Sequence, residues 1–212
     1  WTPTESMSFK AQGVYTDDFV NAYYGTPLVN GAIDPRTRFI NYNMRDNLNK
    51  AHNNYAKNDG DIALAGGWRF RNSAFAATQR VDWRNFESVQ YVPATEKVTV
   101  GSYFLTKRDD VLVGDQADIR NTLHLFGRSL NFVSGFLVQD NNQHRWNTPP
   151  GAPTFSVDLY NPAPIFDPHF YYNRDRDVFT NTKAVFMESL LTVTRRLKLV
   201  SGLRWDHIGL DY

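Results

Sequence analysis

The chain has 212 residues, of which 42% are hydrophobic and 15% aromatic, a density of rings that excludes an unfolded, solvated polymer. Its 23 Lys and Arg offset 22 Asp and Glu to a net charge of +1, with neither sign gathered in a block, which argues against a nucleic-acid partner held by excess positive charge. Cysteine is absent, which excludes a disulfide framework and thiolate-bound metal, and no apolar run reaches the ~18 residues of a membrane-spanning helix.

The first element, MSFKAQGVY (7–15), alternates with period two. Met7, Phe9, Ala11, Gly13 and Tyr15 share one strand face, and Ser8, Lys10 and Gln12 the other. In a soluble sandwich the apolar face turns inward onto a second sheet; in a membrane barrel it turns outward to lipid and the polar face lines a wet interior. Residues 17–47 show no such period and read as loop with possible strand extensions. ALAGGWRF (63–70) reads as a strand closed by a turn at Arg71-Asn72-Ser73, and a long strand follows from Ala74 to Val92. There Val81 and Trp83 oppose Thr78, Arg80, Asp82 and Arg84.

A longer stretch, 98–126, places Ile119, Leu123 and Leu125 opposite Asp118, Arg120, Thr122 and His124. After a turn at 127–129, Phe132, Phe136 and Val138 alternate with Asn131, Gly135 and Gln139. Following a long connection over 147–181, the strand 185–194 turns at Arg195-Arg196 into a last strand. On it Leu197, Leu199, Leu203 and Trp205 oppose Lys198, Gly202, Arg204 and Asp206. These strands outrun the usual five or six residues. Connections that alternate between short and long are what outer-membrane barrels show. The mixed charges Arg80, Asp82, Arg84, Asp118, Arg120, Arg204 and Asp206 are expected to line the polar wall of such a barrel. Trp68, Trp83 and Trp205, each near a strand end, fit an aromatic girdle in a barrel and core positions in a sandwich.

Three blocks carry a family resemblance. The end of the chain, TKAVFMESLLTVTRRLKLVSGLRWDHIGLDY, resembles the barrel of TonB-dependent siderophore receptors. VDLYNPAPIFDP resembles the start of one of their long extracellular loops, and YYGTPLVNGAIDPRTRFINYNMRDN an earlier loop. The resemblance implies an all-β fold: an antiparallel up-and-down transmembrane β-barrel segment of about seven long strands with long extracellular loops. It implies location in the outer membrane of a Gram-negative bacterium, contact with its lipid, and import of a ferric siderophore driven through the TonB complex. Iron is then cargo within the ligand, and no cofactor is expected. Neither the plug domain of these receptors nor their TonB-contacting box is recognisable ahead of Trp1, so residues 1–212 read as an internal piece of the barrel.

By the same resemblance, loop aromatics would hold the chelate: Tyr23 and Tyr24 in the first loop, then Trp146, Tyr160, Phe170, Tyr171 and Tyr172 around the long one. Ring faces cover a flat chelate shell and phenol groups donate to its oxygens. Equally, such rings fold back on their own loop or sit in an interfacial girdle. Arg80, Arg84 and Arg120 could draw in an anionic chelate through their permanent charge, or pair with Asp on the next strand. The five histidines make no metal pair, and no hydrolase, phosphate-loop or dinucleotide signature occurs, so no catalytic residue is expected. Two other readings remain open: a soluble, lectin-like β module, and the same receptor class carrying a cobalamin or an oligosaccharide.

Overall fold

A computed structural model describes residues 1–2, 4–20, 25–148, 150–169 and 172–212. The period-two segments become β1 (Met7–Phe19), β2 (Leu28–Val29), β3 (Ala32–Ile33), β4 (Leu48–Ala63), β5 (Arg69–Val92), β6 (Lys97–Leu125), β7 (Arg128–Asn147), β8 (Phe155–Asp158), β9 (Asn173–Thr192) and β10 (Lys198–Asp211). Hydrogen bonds order the long strands β1-β4-β5-β6-β7-β9-β10, all antiparallel; β8 joins β6, and β2 pairs with β3. This is the all-β, up-and-down sheet that the period implies.

One expected strand and one expected turn are corrected. Residues 63–70 are not a strand with a turn at 71–73; the turn lies at Ala65–Gly67, where Gly66 and Gly67 take φ of 69° and 77°, and Leu64 N donates to Trp68 O at 2.7 Å. Arg71, Asn72 and Ser73 are polar because they sit in the ladder among carboxylates: Ser73 donates to Asp59 at 2.6 Å and Asn72 to Asp115 at 2.7 Å. They belong to β5, and the strand before the turn is β4, whose small and polar side chains hide its period. The long connection also ends earlier than expected, because β9 begins at Asn173.

The turns at 64–68, 126–127 and 193–197 lie at one end of the sheet. Phe126 and Gly127 both take positive φ, 51° and 68°, as a two-residue hairpin matched to strand twist requires. The other end carries the connections 20–47 and 148–172 and the tip of the β5–β6 hairpin.

Residues directly opposite in a ladder share a face. Register therefore puts Met7, Phe9, Phe70, Val111, Val113, Ile119, Phe136, Val138, Val185, Met187, Leu203 and Trp205 on one face near the turn end. Even in the middle of the sheet this band is open: Ile119 is 40% and Phe136 46% exposed. Asp59, Ser73, Gln116, Asp118, Arg120, Gln139, Glu188, Arg204 and Asp206 lie on the reverse, polar face.

Arg80, Asp82 and Arg84 do not join that polar face. They share the face of the apolar band but lie beyond its upper limit, in the rows Asp17–His52–Arg80–Asp109–His144–Asp177, Lys50–Asp82–Lys107–Trp146 and Leu48–Arg84–Leu105. β6 has 29 residues, about 95 Å of extended chain, against a band some 25 Å tall. The upper parts of β5 and β6 thus stand well clear of the band, and there the two faces no longer differ in polarity. Trp83 likewise lies on the reverse face, edge-on to Phe104 at 5.6 Å, rather than in a girdle on the band.

The buried core lies outside the banded part of the sheet. Tyr42, Met44, Phe86, Val98, Val100, Tyr103, Leu105, Val157, Leu159 and Ile165 form it, drawn from both long connections and the β5–β6 hairpin. Val98 and Val100 have even numbers, Tyr103 and Leu105 odd ones, so the inward face changes between them. Ser102 lies at this change with φ of 53°, the kink that turns the hairpin tip onto the loops.

Candidate functional site

The loop end is fastened by two polar devices. Asn43 carries on the ladder beyond the first residue of β4: its Nδ2 donates to Phe86 O at 3.0 Å and its Oδ1 accepts from Phe86 N at 2.9 Å. A carboxamide here satisfies both backbone groups of a buried strand residue. Asp167, its side chain 4% exposed, is the second device. Its carboxylate accepts from Arg84 Nη1 at 2.8 Å, from Tyr103 Oη at 2.8 Å and from His169 N at 2.9 Å, while its own N–H donates to Asp46 at 2.8 Å. A buried carboxylate so surrounded has its oxygens hydrogen-bonded and draws four segments together. Burial, and then the hydrogen bond to Asp167, push the Tyr103 phenol well above the ordinary tyrosine range. Tyr172 donates to Asp82 at 2.5 Å and is raised likewise, first by burial and then by that carboxylate.

A more exposed group forms where the two long connections meet. Asp34 caps the turn Pro35–Thr37 and accepts from Arg36 N at 2.9 Å, from Arg36 Nη2 at 2.6 Å and from Tyr160 Oη at 3.0 Å. The hydrogen bonds from Arg36 hold the Asp34 carboxyl far below the usual carboxylate range. The Arg36 guanidinium lies over the Tyr160 ring at 4.1 Å, and the backbone N–H groups of Tyr160 and Asn161 both donate to Asp158 at 2.8 Å. Tyr160 is 45% exposed, so part of its ring faces outward from this clamp.

The residues expected to bind ligand therefore separate. Arg84 and Tyr172 belong to the Asp167 and Asp82 fastening, and Tyr160 to the Asp34 clamp. Trp146 lies on β7 beneath Lys107 at 5.1 Å, in the row above Arg80, which pairs with Asp109 at 3.0 Å. Arg120 pairs with Asp118 at 2.6 Å near the turn end, remote from the loops in sheet register. Tyr23, Tyr24, Phe170 and Tyr171 lie outside the described residues. All three arginines meet a carboxylate, but only Arg80 finds it on the next strand; Arg120 pairs within β6, and Arg84 pairs with the long connection. Sequence reasoning missed Asn43, Tyr103, Asp167, Asp34 and Arg36; the Asp-Pro-Arg run at 34–36, which places a capping carboxylate ahead of a proline, was the available signal.

No family model matches the chain, and no curated protein sequence matches it significantly. Solved structures do. BauA, described as the ferric preacinetobactin receptor from Acinetobacter baumannii, is 12% identical, with a TM-score of 0.79 over 98% of this chain and 32% of that one. The open form of Fiu, described as the ferric-catecholate import receptor of E. coli K12, gives 13%, 0.80, 97% and 35%. P. aeruginosa FpvA bound to heterologous pyoverdines gives 10%, 0.75, 100% and 29%. At such identities the likeness is one of fold, and the chain spans about a third of the length of these receptors. Its structural neighbours are siderophore receptors, which transport rather than transform, and the sheet matches part of their barrel.

Proposed function

We propose that the chain supplies part of the barrel wall and outer loops of a TonB-dependent outer-membrane receptor that binds and imports a ferric siderophore. One observation carries the reading: a sheet with a siderophore-receptor fold keeps an open apolar band on one face, a polar face behind it, short turns below and packed loops above. Lipid is the solvent for which such a band is stable, and the polar face then lines the interior. A soluble lectin-like module would lay a second layer over the band, and none of the described residues does so.

In this reading β1 and β10 continue into further strands, because open ladder edges are not stable in a bilayer. Capture falls to the outer connections, with the outward part of Tyr160 as one contact surface, Trp146 on β7 as another, and Tyr23, Tyr24, Phe170 and Tyr171 in the same loops. No bond in the ligand is made or broken, and release depends on the inner-membrane energy source acting through TonB.

The test is made on the native gene product. Its envelope is fractionated, and the outer-membrane fraction is run on a gel with and without boiling, using an antibody to residues 148–180. A heat-shifted outer-membrane band is expected. Binding of a panel of ferric siderophores, cobalamin and oligosaccharides, followed by tryptophan fluorescence, then identifies the cargo, with tight binding of a ferric chelate expected. A soluble product without heat shift removes the receptor reading, and binding of cobalamin or an oligosaccharide alone replaces the cargo.

A further inference from the structure

On the polar face, above the level of the band, the register sets three arginines side by side. Arg108 of β6 lies directly opposite Arg145 of β7, and Arg145 directly opposite Arg176 of β9. Opposed Cβ atoms are about 4.5–5.5 Å apart, and like charges at that spacing repel. The outer two are compensated. Arg108 Nε lies 2.8 Å from Asp110 Oδ2, and its Nη2 donates to Gln79. Arg176 Nε donates to Asp175 Oδ2 at 2.9 Å, a carboxylate oxygen that also accepts from Asn147 at 2.9 Å.

The middle one is not compensated. Among the described residues Arg145 makes no ion pair, and its Nε is buried with no hydrogen-bond partner. Three guanidinium groups against two carboxylates leave one positive charge at the centre of the row. A buried donor without a partner is a cost that an incoming acceptor removes. Arg80, Arg84 and Arg120 differ in this respect, since each already meets a carboxylate.

We infer that Arg108, Arg145 and Arg176 form an oxyanion-binding site on the inner wall, taking a carboxylate or phosphate group of a multiply charged ligand. Arg145 makes the central contact. Guanidinium forks match such groups in two-point geometry, and the neighbouring arginines hold the field positive without surrendering their own partners. The inference rests on the receptor reading, in which this face lines the interior, and deepens it: the cargo, or the part of it that passes this level, is anionic.

The intact receptor, purified in detergent as a heat-shifted barrel, is titrated with inorganic pyrophosphate and with the tricarboxylate tricarballylate. Saturable binding of at least one is expected, weakened about tenfold or more by Arg145→Gln, about threefold by Arg145→Lys, and unchanged by Arg80→Gln. Whichever anion binds identifies phosphate or carboxylate as the recognised group. Without anion, Arg145→Gln melts no lower than the parent, because it removes repulsion; added anion raises the melting temperature of the parent alone. Equal binding by parent and Arg145→Gln, or an anion-free Arg145→Gln that melts lower than the parent, overturns the site. A heat-shifted parent barrel that binds neither anion overturns this inference alone, whereas a parent with no heat-shifted form overturns the receptor reading beneath it.

Discussion

The wall and the loop cap of this protein hold together by different means. In the wall, strand pairs close their ladders, and side chains meet mainly across neighbouring strands; large apolar groups such as Ile119 and Phe136 remain open on the outside. Where glycine interrupts a row, a ring fills it: an added Cβ on Gly114 would come within 2.5 Å of Phe75, and one on Gly135 within 2.7 Å of Phe186. In the cap, by contrast, Phe86, Met44 and Val98 are fully buried, and backbone groups are satisfied by the side chains of Asn43, Asp46 and Asp167. The cap follows the rules of a water-soluble core, while the wall leaves the burial of its outer face to its surroundings. Under the proposed function, a boundary between two solvents running across the strands at the row of Arg80 and Asp109 accounts for both.

That contrast can be broken at specific residues. Truncation of Phe86 should have the largest effect: Phe86→Ala removes a fully buried ring at the centre of the cap and should cost it about 3–5 kcal/mol. Limited proteolysis of whole cells should then cut the outer connections while the heat-shifted wall persists; loss of both together would mean that wall and cap are one cooperative unit. Next, Ile119→Arg should destabilise the wall by about 2–4 kcal/mol in a bilayer, whereas Ile33→Arg, at a 58% exposed loop position, should change stability by less than about 0.5 kcal/mol. Equal effects in urea titrations of the reconstituted protein would deny the band its lipid.

Asp167→Ala should come third, at about 3 kcal/mol, because it strands the partly buried Arg84 guanidinium and the Tyr103 hydroxyl. The same proteolysis assay reads it, and Asp167→Asn, which keeps the shape and loses the charge, should lie between parent and Ala. The pH response should be smallest near neutrality and asymmetric. Tyr103 and Tyr172 have raised folded pKa values, so their contribution is fully present below the ordinary tyrosine range and is lost as pH rises above it. Asp34 has a depressed one, so its contribution is present above the ordinary carboxylate range and fades as pH falls below it. Ultraviolet titration should therefore find at least Tyr103 and Tyr172 resisting ionisation until the cap opens.

Much of the wall was legible in the sequence because a strand encodes its face in every second residue. The bands on β6, β7, β9 and β10 follow the alternation at Ile119, Phe136, Val185 and Leu203. Misreadings arose where composition imitates another element. Arg71-Asn72-Ser73 has the make-up of a turn and is strand, since Arg71 and Ser73 suit the polar face and Asn72, on the band's face, bonds to Asp115 of the next strand. Gly66-Gly67 sits between apolar residues as a strand interior would, yet its positive φ makes the turn. β4 shows no clear period because Ala56 and Gly60 leave its apolar face weak. Candidate site residues were less legible. A ring or a guanidinium in a loop looks the same in sequence whether it awaits a ligand or already holds Asp167, and that partner is 83 positions from Arg84.

By itself, the sequence determined the all-β class, the long two-sided strands and the alternation of short and long connections, because these depend on side chains within about ten residues of one another. Only the tertiary structure decided which face each upper-strand charge takes, how three separate segments build the cap core, and that Arg108, Arg145 and Arg176 stand in one row. Those outcomes rest on register between strands and on contacts between distant segments, set by the summed energy of many pairings rather than by any local pattern.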